Sequence, residues 1–357
     1  MKQYKKVLVL IACVLCTVLL VGIERGIVGS LSTQHLATRW SEETEFAQLA
    51  GYFSKDTGFY PNQVQAVRQS LMTGLSEAAL EHTNENGGRN WLDAYSSKGE
   101  CYISSNRTGT KVRTFGVGGD FFLFHPLTLL DGNYFDATDV NEDGVILDEL
   151  VAWQLFGSNH VAGMEIEING NVYPVRGVVR SDSGMFSEAV EEEIPTIYVS
   201  YEVLETIYGK EVAIECYEVL IANPVKGFGV ETAKKALGMD ETSYELIEVS
   251  SRFDLLHRIQ ILKNFGIRSM NTKNIVFPYW ENRAKGYEDV SALFLVLEMI
   301  AIAYPFGWLV KKVYGLWKKR KVFKMKLKAV CVNVWDKVVY FLRNVVKKHM
   351  DAKKVKE

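Results

Sequence analysis

The chain of 357 residues carries 41 basic and 43 acidic side chains, which leaves a formal net charge of −2 at pH 7. This balance provides no overall positive charge for holding a phosphate backbone, so no nucleic-acid partner is expected. This near-neutral net charge is the sum of an acidic segment and a basic segment. Residues 24–290 hold 22 basic and 39 acidic side chains, whereas residues 311–357 hold 16 basic and 3 acidic ones.

The first element is an apolar run at residues 7–23, preceded by a short basic segment at residues 1–6. About 17 to 25 apolar residues are enough to cross a bilayer as a helix. The run ends without the small-residue cleavage site of a secretory signal peptide, which favours an uncleaved transmembrane helix. The residues before Cys13 resemble a lipoprotein signal, but the apolar stretch before that cysteine is too short to favour lipidation.

Residues 24–289 form a polar segment, long enough for one large domain or two small lobes. Its first clear element is a helix at residues 61–81, where apolar residues recur close to every 3.6 positions. Asn169-Gly170 stands between two alternating runs and predicts a β-hairpin. Strands and helices interleave without regular βαβ units, which predicts an α+β fold. The predicted strands are 101–105, 111–117, 144–148, 164–168, 172–179, 196–200 and 213–221, and the other helices are 149–156, 230–237 and 252–265.

The five cysteines do not form a disulfide framework. Cys13 and Cys16 lie in the first apolar run, and Cys331 lies in the basic C-terminal part. Cys101 and Cys216 share the polar segment and both fall in predicted strands. One bridge between them and two separately buried thiols are both compatible with the sequence.

No motif for catalysis or for a cofactor occurs. The P-loop, metalloprotease and serine-hydrolase patterns are missing, and the six histidines are scattered. We therefore expect neither an enzyme nor a bound cofactor. Asp139, Asn141 and Asp143 match the first half of a calcium loop, but Leu150 stands where the bidentate glutamate should be. We interpret this loop as an acidic turn before a strand, with calcium as the alternative.

A second apolar run covers residues 290–310 and predicts a second transmembrane helix. It contains Glu298, and an ionisable side chain within a membrane usually faces a partner or a cavity. We favour a contact between Glu298 and another membrane subunit over a neutral carboxyl that is only tolerated. Pro305 predicts a kink near the inner end of this helix.

The C-terminal segment, residues 311–357, is a basic tail. Apolar residues recur at helical spacing between residues 325 and 346, among lysines and arginines. This pattern predicts an amphipathic helix on the inner membrane face, bound to anionic lipid head groups. Docking onto a cytoplasmic protein is the alternative. Because basic residues beside a span are retained in the cytoplasm, we expect both termini inside and residues 24–289 outside.

Residues 119–179 carry a series of motifs in a fixed order. They read GDFF, LDGNYF, VILDELVAWQLFG, VAGMEI and VYPVRGVV. This series resembles the MacB-like periplasmic core domain of type VII ABC transporter permeases. Four residues of these motifs have a predicted structural role. Phe156 and Gly157 end a helix, Gly163 lies at a turn and Gly177 lies in a strand.

The resemblance implies a porter-like lobe with an inserted smaller β-rich lobe that contains residues 119–200. It also implies a membrane subunit of an export or mechanotransmission complex in a bacterial inner membrane, driven by a separate cytoplasmic ABC ATPase. Family permeases carry four spans, so the two spans here predict a reduced form that assembles with a second permease or another copy, with Glu298 as a contact. The alternative function is a membrane-anchored extracytoplasmic binding or adaptor protein without an ATPase partner.

Overall fold

The computed structural model describes residues 2–41, 45–80, 88–105, 108–135, 143–180, 184–186, 189, 194–267 and 273–354. The chain divides into two compact units. One unit comprises the terminal segments Met1–Gly22 and Val296–Glu357, and the other comprises Ile23–Leu295.

Two long helices contribute the terminal segments, α1 (Lys2–Gly29) and α9 (Tyr279–Lys354). Each contains a stretch that is long and apolar enough to cross a membrane, Tyr4–Gly29 with mean hydropathy 2.8 and Tyr279–Lys318 with mean hydropathy 2.0. Both predicted spans therefore lie in helices of sufficient length.

The basic tail is helical and continuous with the second apolar run, and its position on the inner membrane face stays a prediction. Helix α9 runs through Pro305 and continues without interruption to Lys354. Beyond Gly315 the sequence of this helix contains neither glycine nor proline, and lysine, leucine and arginine are good helix formers. Nothing in the local sequence therefore ends the helix between the span and the tail.

The unit Ile23–Leu295 has the predicted α+β composition. Its described strands are β1 (Phe46–Phe53), β2 (Trp91–Ser104), β3 (Gly109–Gly119), β4 (Thr128–Gly132), β5 (Val145–Asp148), β6 (Glu165–Ile168), β7 (Asn171–Arg180), β8 (Thr196–Ser200), β9 (Cys216–Ala222) and β10 (Tyr244–Glu248). Its described helices are α2 (Leu36–Trp40), α3 (Pro61–Glu77), α4 (Phe121–Phe124), α5 (Glu149–Phe156), α6 (Tyr201–Tyr208), α7 (Phe228–Leu237) and α8 (Leu255–Asn264).

The strands form one mixed sheet in the order β10-β1-β9-β2-β3-β8-β5-β7-β4. The pairs β3–β8 and β5–β7 are parallel, and the other pairs are antiparallel. Strand β6 pairs with β7 and also with β2, where Ile103 lies opposite Ile168. Strands β2, β3, β8, β5, β7 and β6 therefore close into a six-stranded barrel.

The barrel and the open part of the sheet have separate hydrophobic cores. Val145 and Leu147 of β5 belong to the barrel core, whereas Ile146 between them belongs to the larger core. Alternate side chains of a strand point to opposite faces, so one strand supplies both cores. Strands β2 and β3 have 14 and 11 residues and extend from one core to the other. The smaller lobe is this barrel, and it shares its sheet with the larger lobe.

The Asn-Gly turn signal and the proline at a helix start are found at the positions that the sequence predicted. Asn169 and Gly170 have φ angles of 52° and 83°, which makes the β6–β7 connection a turn with both central residues left-handed, as Asn-Gly favours. Helix α3 begins at Pro61, within the predicted helix. Strands β1, β4 and β10 and helices α2, α4 and α6 lie outside the predicted elements.

Candidate functional site at the base of the domain

A buried ionic cluster joins the start of α9 to the sheet. Arg252 is completely buried, and its Nη2 donates a hydrogen bond of 2.7 Å to Oε2 of Glu281. The Nε of the same guanidinium lies 3.3 Å from Oε1 of Glu288. Tyr52 donates its hydroxyl hydrogen to Oε2 of Glu281 over 2.9 Å. We call Tyr52, Arg252, Glu281 and Glu288 the base cluster.

The sequence positions explain how these residues meet. Glu281 and Glu288 are seven residues apart on α9, which places both carboxylates on one face of the helix, two turns apart. Arg252 follows the 3-10 turn Val249–Ser251 directly after β10. Tyr52 lies in β1, the neighbour of β10 in the sheet. The base cluster therefore connects α9 with β1 and with the turn that follows the edge strand β10.

A second buried group connects α1, α8 and α9. Ser291 of α9 donates its hydroxyl hydrogen to Glu24 Oε1 over 2.6 Å. Arg258 of α8 donates from Nη2 to the Ser291 carbonyl over 2.9 Å, and its Nη1 lies 3.9 Å from Glu24 Oε1. His257 Nε2 lies 3.4 Å from Glu288 Oε1, so α8 contacts both groups. We call Glu24, Arg258 and Ser291 the junction group.

The first turn of α9 also reaches the barrel. Tyr279 and Trp280 pack around Phe115 of β3, with ring centroids 5.9 and 5.1 Å away. The hydroxyls of Tyr279 and Tyr198 are 3.2 Å apart, and Tyr198 lies on barrel strand β8. Helix α9 therefore touches the larger core and a wall of the barrel within one turn.

A buried histidine supports the same turn. His125 follows α4, and its Nε2 lies 2.5 Å from Oε2 of Glu218 on β9. Its ring centroid is 4.4 Å from that of Phe121 and 4.5 Å from that of Trp280. Trp280 thus packs on a side chain that is fixed to the sheet by a polar contact.

The base cluster combines one buried cation, two buried carboxylates and one tyrosine hydroxyl. Burial raises the pKa of Tyr52 well above its ordinary value, and the neighbouring Glu281 carboxylate acts in the same direction. Tyr52 is therefore a neutral hydrogen-bond donor to Glu281. One buried guanidinium faces two buried carboxylates, and removing either sign leaves an uncompensated buried charge, which typically costs about 3–5 kcal/mol. The cluster holds the first turns of α9 against the sheet.

One barrel carboxyl is also perturbed. Asp148 caps α5 by accepting from the Val151 backbone N–H over 2.8 Å, and it accepts from the Thr196 N–H over 2.7 Å. Burial raises the pKa of Asp148 to about 6, although these two backbone hydrogen bonds and the charge of Arg113 act to lower it. Asp148 joins β5, α5 and β8 at one end of the barrel.

The motif residues singled out in the sequence occupy structural positions in and beside the barrel. Gly157 ends α5 with φ 70°, and Gly163 has φ 86° at the turn before β6. A Cβ on Gly177 would lie 2.7 Å from the Asn133 carbonyl oxygen, so β7 approaches this backbone closely. Phe156 packs against the barrel core.

The calcium candidates lie mostly outside the described residues. Asp139 and Asn141 fall in the gap at 136–142, and Asp143 is described and exposed. Within the described ranges, no group of three or more His, Cys, Asp or Glu side chains is placed to hold a metal ion.

The two cysteines of the domain are free and buried. Cys216 lies opposite Ser96 in the β2–β9 ladder, whereas Cys101 lies five residues further along β2. At about 3.3 Å per residue this separation is roughly 16 Å, and a disulfide needs Cα atoms within about 7 Å. Cys101 instead contacts Thr114 Oγ1 at 3.1 Å inside the barrel.

Glu298, which the sequence selected, lies in α9 with 9% of its area exposed, and its contact with another subunit remains a prediction.

The sequence did not indicate the base cluster, because each of its members is typical of an ordinary surface residue. The signal available was the seven-residue spacing of Glu281 and Glu288 directly before an apolar run, which marks a charged helix face next to a membrane.

Comparison with known proteins identifies one family. A family model described as MacB-like periplasmic core domain matches residues 7–236, more than half of the chain. No curated protein sequence matches.

Solved structures that are similar to the chain include two extracytoplasmic transporter domains. The periplasmic region of MacB from Actinobacillus actinomycetemcomitans aligns with TM-score 0.43 and 13% identity, over 61% of this chain and 92% of that one. The extracellular domain of the noncanonic ABC-type transporter YknZ from Gram-positive bacteria aligns with TM-score 0.40 and 13% identity, over 56% of this chain and 99% of that one.

Proposed function

Because the chain belongs to the MacB-like periplasmic core domain family, we propose that it couples a separate cytoplasmic ATPase to movement of its extracytoplasmic domain. The family is that of ABC transporter permease components. The family match and the two apolar helices support an inner-membrane protein with an extracytoplasmic domain.

The observation that supports the proposal is that many contacts hold the first turns of α9 inside the domain. Three kinds of contact hold its first four turns: the aromatic packing of Tyr279 and Trp280, the base cluster, and the junction group. Nearly all the polar side chains involved are buried, so these contacts are little weakened by solvent. A helix held in this way moves with the domain rather than independently of it.

The same contacts define a route for displacement. A shift or tilt of α9 would act on β1 through Glu281 and Tyr52, and on barrel strand β8 through Tyr279 and Tyr198. Packed elements respond to such shifts by moving between discrete arrangements rather than by continuous deformation. In this proposal the larger lobe and the barrel both respond to movement of one membrane helix.

The lysines of the chain support the proposed orientation. The segments at residues 1–6 and 311–357 are basic and flank the two apolar runs, which favours a cytoplasmic location for both termini. The tail would then lie on the side where the ATPase and the anionic inner leaflet are found. A second permease or another copy of this chain would complete the transporter.

The experiment is affinity purification of the full chain from its native membrane in a mild detergent, beside a variant that lacks residues 322–357. Reproducible recovery of a P-loop ATPase, reduced in the tail deletion, supports coupling and a docking role for the tail. Recovery of the ATPase by both forms assigns docking to other residues. Recovery of envelope proteins alone, with no ATPase under cross-linking, overturns the proposal in favour of the adaptor function.

Coupling itself is tested in the recovered complex by hydrogen exchange with ADP or with a non-hydrolysable ATP analogue. We expect nucleotide-dependent protection in the first turns of α9, in β1 and in β8. The Arg252→Met variant should keep the ATPase but lose the response in β1, which the base cluster contacts through Tyr52. A response in β1 that is identical in this variant would refute transmission through the base cluster.

A further inference from the structure

Helix α8 and the residues after it expose large apolar side chains on the surface of the domain. Leu255 and Leu256 at its start are 58% and 68% exposed, and Phe265 and Ile267 at its end are 67% and 68% exposed. Arg258 and Ile261 of the same helix are buried. Four large apolar side chains exposed within 13 residues mark a protein or membrane contact.

The junction group fixes where this surface lies. Arg258 of α8 hydrogen-bonds the backbone carbonyl of Ser291, the second residue of the apolar run at 290–310. Its guanidinium also faces Glu24, which directly follows the apolar run at 7–23. One side chain of α8 therefore contacts the residue at the outer boundary of each span. Helix α8 therefore packs beside the ends of both apolar runs that adjoin the domain.

We propose that residues 255–267 form an interfacial membrane anchor that embeds Leu255, Leu256, Phe265 and Ile267 in the outer leaflet. Gln260 and Lys263, between these apolar residues, are polar and not buried, and they suit the head-group region. The bilayer is the occupant because α8 packs beside the ends of both apolar runs, where the two spans would bring the membrane. The inference rests on the two spans and not on an ATPase partner.

An interfacial anchor beside the spans has a mechanical consequence. Arg258 and His257 connect α8 to the junction group and to Glu288 of the base cluster. Helix α8 would then couple the base of the domain, together with the first turns of α9, to the outer leaflet. Movement of α9 would therefore also displace α8 relative to the bilayer surface.

The test is spin-label accessibility on the full chain in nanodiscs of phosphatidylethanolamine and phosphatidylglycerol. Cys13, Cys16 and Cys331 are replaced by serine, and the buried Cys101 and Cys216 are retained. Labels are placed singly at Leu256→Cys and Phe265→Cys. Val172→Cys, 60% exposed on the barrel hairpin, is the matched control for a water-exposed apolar position, and Leu297→Cys is the control within the second span.

Labels at positions 256 and 265 should collide more with oxygen than with the water-soluble nickel chelate, as at position 297, whereas the label at 172 should show the opposite preference. Equal behaviour at 256, 265 and 172 would overturn the proposal, because the surface would then face water. Low collision rates with both reagents would also overturn it, since they would place a protein on this surface. No ATPase is needed, so failure here is separate from failure of the coupling function.

Discussion

Replacing Arg252 by methionine tests the base cluster most directly. Methionine keeps much of the volume of the arginine stem but removes the only guanidinium that faces Glu281 and Glu288 within this cluster. The two carboxylates would remain, with side chains 1% and 6% exposed. Glu281 would keep the Tyr52 hydroxyl and Glu288 would keep His257, but the buried guanidinium between them would be gone.

The expected magnitude follows from the geometry. Contacts of 2.7 and 3.3 Å correspond to about 5–6 kcal/mol of attraction each at an effective dielectric constant of about 20. The desolvation of the three charges offsets much of this attraction. Breaking one side of such a buried arrangement costs about 3–5 kcal/mol, which for a domain of this size lowers Tm by on the order of 10 °C.

Thermal unfolding of the full chain in detergent, followed by tryptophan fluorescence, measures this loss. Lys235→Met is the control, because Lys235 and Glu77 form an ion pair on the surface, with side chains 69% and 62% exposed. The triple variant Arg252→Met, Glu281→Gln, Glu288→Gln should recover most of the loss, since no unpaired charge remains. If Arg252→Met melts within about 2 °C of Lys235→Met, the cluster does not hold α9 as described.

Three further predictions concern the barrel and the topology. The pKa of Asp148, raised to about 6 from an ordinary value of 3.8, means that protonated Asp148 favours the folded state. This contribution is complete below about pH 4 and is lost as pH rises through 6, by about 3 kcal/mol in total. Asp148→Asn should therefore show a shallower fall of Tm between pH 4 and 6.5 than the parent, and an unchanged slope would contradict the assignment. Gly177→Ala should lower Tm by several degrees, because the added Cβ would lie 2.7 Å from a carbonyl oxygen. Gly266→Ala is the control, since open space surrounds Gly266, and it should leave Tm unchanged. Equal melting temperatures of the two variants would refute the close approach. A membrane-impermeant maleimide should label Val172→Cys in intact cells and leave Cys331 unlabelled until the membrane is opened, and labelling of Cys331 in intact cells would reverse the orientation.

Strong local patterns allowed the sequence to predict many of the elements. Helix α3 repeats apolar residues at helical spacing, and the Asn169-Gly170 turn needs only two adjacent residues. Strand β1 was missed because all eight of its residues are buried, so the alternation that identifies a half-exposed strand is absent. Its Ala and Gly residues further weaken the strand signal.

The base cluster could not be found in this way, because its chemistry depends on contacts between distant parts of the chain. Arg252 and Glu281 are 29 residues apart, and Tyr52 and Glu281 are 229 residues apart. In the sequence each is one charged or aromatic residue among many. Burial turns them into a cluster, and burial is a property of the folded chain.

The sequence by itself determined the two apolar runs, the opposed charges of the polar segment and the tail, and the motif series that resembles one family. These features are local, since each depends on residues near one another along the chain. Only the tertiary structure decided that six strands close into a barrel, because that closure depends on the pairing of Ile103 with Ile168. It also decided that Cys101 and Cys216 stay apart, and that Glu24, Arg258 and Ser291 meet where both spans begin. Each of these outcomes requires segments that are distant in sequence to pack together, and that packing is set by the burial of whole faces rather than by any local pattern.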